Sequence, residues 1–125
     1  MWAWRGLRKA VPKIKLVAFE PLQSPLLTTG KGGAHQVEGI GVGFEPPFLD
    51  QSVLKGIRAI DQEKWVAMCR KLAHEEGVFC GTSPGLNVVG AIELAEEIGP
   101  GKRVVTFACD SGLKYLGTHV YLRKN

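Results

Sequence analysis

Short apolar runs alternate with helical patterns along most of the chain, and this alternation restricts the possible folds more than any other feature. Each run is brief and continuous, which is typical of strands covered on both faces. Strands that alternate with helices of about 10–15 residues indicate βαβ units. The sequence therefore predicts an α/β fold with three layers, a mostly parallel sheet and helices on both faces. The predicted strands are Leu16–Phe19, Ile57–Ile60, residues 78–80 and residues 103–109.

Two longer helices are predicted between and after these strands. Asp61 is expected to cap the first of them, and Gly77 is expected to follow its last turn. The apolar face of this helix has i, i+3, i+7, i+8 spacing. The second helix is predicted from about Pro84 to Ile98, before the Gly99-Pro100-Gly101 stop. The residues of the apolar face of the first helix are Trp65, Met68, Leu72 and Ala73.

The turn "CGTSPG", residues 80–85, joins a predicted strand to the second helix. Ser83 precedes Pro84, a favoured residue at the first helical position, so the serine can serve simply as the helix cap. The alternative is functional, because Ser83 also follows the C-terminal end of a strand, where parallel α/β sheets bind ligands. Spacing alone favours the cap over the ligand contact.

A glycine-rich connection, residues 22–47, contains two segments that look like nucleotide-binding motifs and fail to match them. "GIGVGF" has Phe44 where a dinucleotide fingerprint needs its third glycine. "TTGKGG" has Pro25 in place of the first P-loop glycine and Gly32 at the Ser/Thr position. The glycines indicate instead that the backbone passes close to another strand or to a ligand.

The segment "CDSGLKYL", residues 109–116, places two polar side chains after the last predicted strand. Asp110 or Ser111 can cap the turn that follows, or the pair can lie at the same strand-end rim as Ser83. Cys109 is not expected to be a nucleophile, because its strand is predicted to be buried and no histidine is close in sequence.

Composition argues against several classes of function. The net charge of +4 comes from scattered basic residues without a basic stripe, so no nucleic-acid partner is expected. No apolar run approaches the roughly 18 residues of a membrane span, so no membrane association is expected. The three cysteines and three histidines show no metal-ligand spacing, so no metal site is predicted. Reduced, buried thiols favour a cytoplasmic location.

Several segments, in order, resemble the C-terminal part of cysteine synthase, also called O-acetylserine sulfhydrylase. This enzyme belongs to the fold type II group that depends on pyridoxal 5'-phosphate. The resemblance covers nearly the whole chain, so residues 1–125 are expected to form a single C-terminal part without an internal boundary. The matching segments are "PKIKLVAFEP", "GKGGAH", "VEGIGVGF", "EEGVFCGTSPG" and "CDSGLKYL".

The resemblance implies a set of cofactor contacts. The family's serine in its G-x-S-[SP]-G turn hydrogen-bonds the pyridine nitrogen of pyridoxal phosphate, and this residue falls on Ser83. The family's glycine loop lines the cleft and falls on Gly39, Ile40 and Gly41, while the "DSG" segment near the ring edge falls on Asp110 and Ser111. In some relatives a basic loop helps to dock serine acetyltransferase. Lys31 and His35 keep part of that pattern, and Gln36 replaces a basic residue.

The resemblance also implies an activity and a limit to it. Family members convert O-acetyl-L-serine and sulfide to L-cysteine and acetate by β-elimination and β-replacement, and a homodimer is expected when the enzyme is complete. The Schiff-base lysine of the family lies in an N-terminal segment without a match here, so no catalytic residue is predicted. With an uncapped helix starting at residue 2, this indicates the C-terminal piece of a longer enzyme, inactive alone.

Other interpretations stay open. Cystathionine β-synthase, cysteine desulfhydrase and serine or threonine dehydratase share the fold type II architecture. A protein of a different class, a non-catalytic module that binds a full-length relative or regulates it, is the remaining alternative.

Overall fold

The computed structural model describes the backbone of residues 2–122 and the side chains of residues 3–122. In chain order the main elements are helix α1, strand β1, the short helix α2, strand β2 and helices α3 and α4. Two 3₁₀ helices, Gln51–Val53 and Gly112–Tyr115, complete the regular structure of the described residues. The bounds are α1 Trp2–Ala10, β1 Leu16–Pro21, α2 Leu26–Thr29, β2 Leu54–Ile60, α3 Gln62–Glu75 and α4 Thr82–Ile98.

The strands β1 and β2 pair in parallel, which confirms the predicted α/β class. Ala18 pairs with Ile57 and Pro21 with Ile60, and the register is irregular only next to Leu16. A parallel pair needs a crossover connection rather than a hairpin. Residues 22–53, with α2 and the glycine-rich connection, supply that crossover.

Helix α3 begins and ends close to the predicted positions. Asp61 occupies the N-cap position, but its side chain makes no capping hydrogen bond. Its carboxylate accepts instead from the Gln23 side chain, Nε2 to Oδ1, at 2.7 Å. Gly77 follows the C-cap residue and has a φ of +67°, a backbone conformation that glycine adopts without steric cost.

Helix α4 begins at Thr82, two residues earlier than predicted, and Gly81 is its N-cap residue. Ser83 therefore lies inside the first turn, and the interpretation of Ser83 as the helix cap is wrong. The helix packs closely on α3 because Gly85 carries no side chain. A Cβ atom there would lie 2.3 Å from Sγ of Cys69 and 2.8 Å from the carbonyl oxygen of Trp65.

The core lies between α3, α4 and the C-terminal segment, defined here as residues 116–122. Trp65 and Cys69 of α3 and Leu86 of α4 are fully buried, as is Val120. The C-terminal segment is fixed by hydrogen bonds as well, since the Tyr121 hydroxyl donates to the carbonyl oxygen of Cys80. The first turn of α4 is therefore packed against the core.

Two of the predicted strands do not form. Residues 78–80 contribute only an isolated antiparallel bridge, from Cys80 to Ser111. Residues 103–109 pair with no strand among the described residues, and they are not buried: Val105 is 79 % exposed and Phe107 is 56 % exposed. The prediction of a buried strand and a buried Cys109 is therefore wrong, since Cys109 is exposed. A strand needs a neighbour for its backbone groups, and these residues have none.

No helix within residues 2–122 is both long enough and apolar enough to cross a lipid bilayer.

Candidate functional site

A cavity of about 480 Å³ lies where the start of α4 meets the glycine-rich connection and residues 109–115. It brings together four of the six site residues that the sequence predicts: Gly39, Ile40, Ser83 and Asp110. The residues that line it are Glu38, Gly39, Ile40, Ser83, Asn87, Cys109, Asp110, Lys114 and Tyr115.

Ser83 lines this cavity from the first turn of α4. The residue is only 9 % exposed. Within residues 3–122 its hydroxyl makes no hydrogen bond to a protein atom, whereas the hydroxyl of the neighbouring Thr82 accepts from the backbone N–H of Glu38 at 3.1 Å. Ser83 therefore presents a hydroxyl group that is free to donate to a ligand in the cavity.

Asp110 lies against the start of α4, where the Gly81 N–H donates to its carbonyl oxygen at 3.3 Å. Its Oδ2 accepts a hydrogen bond of 2.8 Å from the Tyr115 hydroxyl, and its Oδ1 is buried without a partner in the described part of the chain. A Cβ atom on Gly81 would lie 2.1 Å from that Oδ1 and 2.5 Å from the Tyr115 ring. Burial, followed by the hydrogen bond to Asp110, raises the pKa of Tyr115 above its usual value, so the phenol stays protonated as the donor.

Among the described residues one lysine, Lys114, lines the cavity. Its Nζ lies 3.4 Å from Oδ2 of Asp110. The charge of the Tyr115 phenolate form and then the hydrogen bond to Asp110 raise the pKa of Lys114. A lysine that attacks a carbonyl group needs a lowered pKa, so Lys114 is poorly suited to bind an aldehyde covalently.

Two predicted site residues lie outside the lining. The Gly41 carbonyl is hydrogen-bonded to the His35 ring at 2.8 Å. Ser111 is the N-cap residue of the 3₁₀ helix Gly112–Tyr115, and its hydroxyl accepts from the Leu113 N–H at 3.3 Å. For Ser111 the structure thus favours the capping alternative.

Five lining residues were not predicted as site residues: Glu38, Asn87, Cys109, Lys114 and Tyr115. Helical periodicity could have indicated Asn87, because it lies four residues after Ser83 on the same face of α4. Its side-chain amide donates to the carbonyl oxygen of Phe107 at 3.1 Å and so ties residues 102–109 to α4. The sequence carries no comparable signal for Cys109, whose exposure depends on the missing strand pairing.

Comparison with known proteins assigns the chain to a family. Residues 3–110 match the family model described as pyridoxal-phosphate dependent enzyme. The cysteine synthase of Staphylococcus aureus is 39 % identical over 115 residues, which are 92 % of this chain and 37 % of that protein. The chain therefore spans about 37 % of the length of this curated relative.

Solved structures agree with this assignment and confirm the fold type II architecture. An O-ureido-L-serine synthase matches with a TM-score of 0.87 and 34 % identity over 94 % of this chain and 37 % of that one. An O-acetylserine dependent cystathionine β-synthase from Helicobacter pylori matches with a TM-score of 0.86 and 36 % identity over 94 % and 38 % of the two chains. The chain belongs to the family of pyridoxal-phosphate dependent enzymes.

Proposed function

We propose that this chain forms the ring-nitrogen side of a pyridoxal phosphate site in an enzyme that makes L-cysteine and acetate from O-acetyl-L-serine and sulfide. The observation that carries the proposal is the unpaired hydroxyl of Ser83 in a cavity bordered by Gly39, Ile40 and Asp110. The cysteine synthase relative supports the choice of substrates.

The residues of the cavity fit the pyridine ring of the cofactor. A neutral hydroxyl donates to an unprotonated ring nitrogen, whereas a carboxylate at the same place would keep the ring protonated and strengthen electron withdrawal. The carboxylate of Asp110 is engaged by Tyr115. Ser83 would therefore be the donor to the ring nitrogen, and the backbone of Gly39 and Ile40 would border the ring.

Pyridoxal phosphate, when bound, withdraws electrons from the bonds at the α-carbon of an amino-acid substrate. With Ser83 as the partner of its nitrogen, the ring stays unprotonated and is only a weak electron sink. A weak sink suits β-elimination and β-replacement and disfavours transamination. This chain's residues orient the ring and limit its electron withdrawal. They are not proposed to hold the cofactor covalently, since the Lys114 ammonium group at the cavity is paired with Asp110.

The complete enzyme is proposed to be a cytoplasmic homodimer, and the 125-residue chain alone is proposed to be inactive. Pure chain is expected to form no cysteine from O-acetyl-L-serine and sulfide, even with added pyridoxal phosphate. Borohydride reduction is expected to add no pyridoxyl mass to the protein. Cysteine formation, or a label that disappears in Lys114→Arg, would contradict this part of the proposal.

Cofactor binding tests directly whether the unpaired Ser83 hydroxyl contacts pyridoxal phosphate. Equilibrium dialysis against pyridoxal phosphate is expected to show that Ser83→Ala weakens binding about 2- to 10-fold, the range for one net hydrogen bond. The matched control is Ser52→Ala, an exposed serine in the 3₁₀ helix Gln51–Val53. Equal losses in both variants, or no loss in Ser83→Ala, would argue against the Ser83 contact.

The exposed apolar residues of the segment 102–109 favour a second candidate function, a non-catalytic module that binds a protein partner. Val105 and Phe107 are more than half exposed there. Size-exclusion chromatography with a full-length cysteine synthase or with serine acetyltransferase tests this candidate. Co-migration at micromolar concentration would support it, and separate elution of all components would count against it.

A further inference from the structure

The glycine loop, defined here as residues 37–43, is anchored at two points by a single imidazole ring. The Nδ1 atom of His35 lies 3.2 Å from the backbone nitrogen of Val37. Its Nε2 atom lies 2.8 Å from the carbonyl oxygen of Gly41. The ring therefore connects the two ends of the part of the loop that contains Gly39 and Ile40. Both of these residues line the cavity.

These two contacts require one protonation state of the ring. A backbone N–H can only donate, so Nδ1 must be the nitrogen without a proton. A carbonyl oxygen can only accept, so Nε2 must carry the proton. Both contacts are satisfied together only by the neutral imidazole with its proton on Nε2.

The loop needs such anchors because its glycines allow the backbone many conformations. Gly39, Gly41 and Gly43 all have positive φ values, of +80°, +62° and +78°. Glycine loses more conformational freedom on ordering than any other residue, so a loop with three such positions needs external contacts to stay in one conformation. Val37 is buried in the core, the Glu38 N–H donates to Thr82 of α4, and His35 supplies two further hydrogen bonds.

Close packing between the His35 ring and Gly41 makes this contact specific for a glycine at position 41. A Cβ atom on Gly41 would lie 2.4 Å from Nε2 of His35 and 2.8 Å from its Cε1. The ring thus occupies the space that a side chain at position 41 would need. His35 itself is half-buried, and neither ring nitrogen is free.

We infer that His35 is a positioning residue, which as the neutral Nε2–H tautomer holds the glycine loop so that Gly39 and Ile40 keep their places at the cavity. The identity of the ligand rests on the proposed function, whereas the anchoring of the loop does not. This role also differs from the docking of serine acetyltransferase, because a docking partner would not find a free imidazole nitrogen at His35.

The tautomer is measurable in the unmodified chain. Long-range ¹H–¹⁵N correlation spectra of the imidazole rings at pH 8 distinguish a protonated nitrogen from an unprotonated one. For His35 we expect a protonated Nε2 and an unprotonated Nδ1. A protonated Nδ1, or a ring that exchanges between both tautomers, would overturn the inference.

Hydrogen exchange tests the effect on the loop without any cofactor. In His35→Ala the amide protons of Val37 and Glu38, which donate hydrogen bonds from the loop, are expected to exchange about 5- to 100-fold faster, the range for the loss of two hydrogen bonds. The matched control is His74→Ala, which removes an exposed imidazole from the last turn of α3. Exchange in His35→Ala that equals the control would overturn the inference.

A conservative variant separates anchoring from a general loss of stability. In His35→Asn the side-chain oxygen can accept from the N–H two residues later, but the side chain is too short to reach Gly41. Protection is expected to return at Val37 but only in part at Glu38, because the contact with Gly41 stays absent. Full recovery at both amides, or recovery at neither, would contradict two separate anchors. If the parent chain binds no pyridoxal phosphate, the proposed function fails while these measurements still decide the role of His35.

Discussion

The helical pair α3–α4 and the segment 102–109 differ in how far their large apolar side chains are exposed. Trp65, Cys69 and Leu86 of the helical pair are fully buried. Val105 and Phe107 of the segment are mostly exposed. The presence of large apolar side chains does not account for the difference, because both regions carry them.

The source of hydrogen-bond partners explains the contrast. A helix satisfies its backbone groups within itself, so α3 and α4 need only each other to bury their apolar faces. A strand needs a neighbouring strand, and none is present beside residues 103–109 in the described structure. The cavity combines both regions, with Ser83 and Asn87 from α4, Cys109 from the end of the segment and Asp110 directly after it.

Thiol reactivity should show the largest difference between the two regions. Cys69 and Cys80 are buried in and beside the helical pair, and Cys109 is exposed at the end of the segment. With a disulfide reagent at pH 8 and excess reagent, one thiol per chain is expected to react rapidly and two at least about 10³-fold more slowly, because they require opening of the core. Cys109→Ser should abolish the fast phase. A second fast thiol would show that the helical pair is not closed.

Aromatic truncation should separate the regions in stability. Trp65→Ala is expected to lower the free energy of unfolding by about 3–5 kcal/mol, because the ring is fully buried. Phe107→Ala removes a mostly exposed ring and is expected to change it by no more than about 0.5 kcal/mol. Urea denaturation of both variants measures the difference. Similar losses would mean that the segment packs in solution.

Glycine substitutions test the contact between the regions. Gly81→Ala is expected to cost about 1–3 kcal/mol, because the new Cβ would meet Asp110 and the Tyr115 ring. The matched control is Gly6→Ala in α1, where a Cβ meets nothing within 4 Å and should stabilise the helix. Thermal denaturation compares the two variants. A neutral Gly81→Ala would show that Asp110 is not held against α4.

Alkaline pH should weaken the helical side of the comparison. Burial raises the pKa of Cys69 from its usual 9.0 to about 12, and burial also raises the pKa of Tyr121 from 10.0 to about 12. Between pH 9 and 12 the unfolded chain therefore loses protons that the folded chain keeps, and stability falls as pH rises. The slope is limited to about 1.4 kcal/mol per pH unit for each proton.

Denaturation curves collected from pH 8 to 11 measure this slope. Cys69→Ala removes one of the two groups and is expected to make the decline shallower, beginning at a higher pH. An unchanged decline would assign it to groups other than Cys69.

The sequence predicted the parts of this fold that are stabilised locally. The bounds of α3, the stop of α4 and the conformation of Gly77 follow from side-chain spacing and glycine chemistry. The strand of residues 103–109 was predicted from its apolar run, but a run cannot indicate whether a partner strand is present. The buried carboxylate oxygen of Asp110 and its Tyr115 partner depend on how the segment meets α4, which no local pattern encodes.

The site was predicted in part for the same reason. Resemblance indicated the positions of Gly39, Ile40, Ser83 and Asp110, which line one cavity. It did not indicate that the Ser83 hydroxyl has no partner within the chain, or that His35 anchors the glycine loop. Both facts depend on side-chain geometry across segments that are distant in sequence.

The central claim is that Ser83 donates to the ring nitrogen of pyridoxal phosphate. A deaza analogue, in which a C–H group replaces that nitrogen, tests it most directly when binding of cofactor and analogue is measured by equilibrium dialysis. The parent chain should bind the cofactor about 2- to 10-fold more tightly than the analogue, and Ser83→Ala should bind both equally. A preference that persists in Ser83→Ala, or none in the parent chain, would contradict the account.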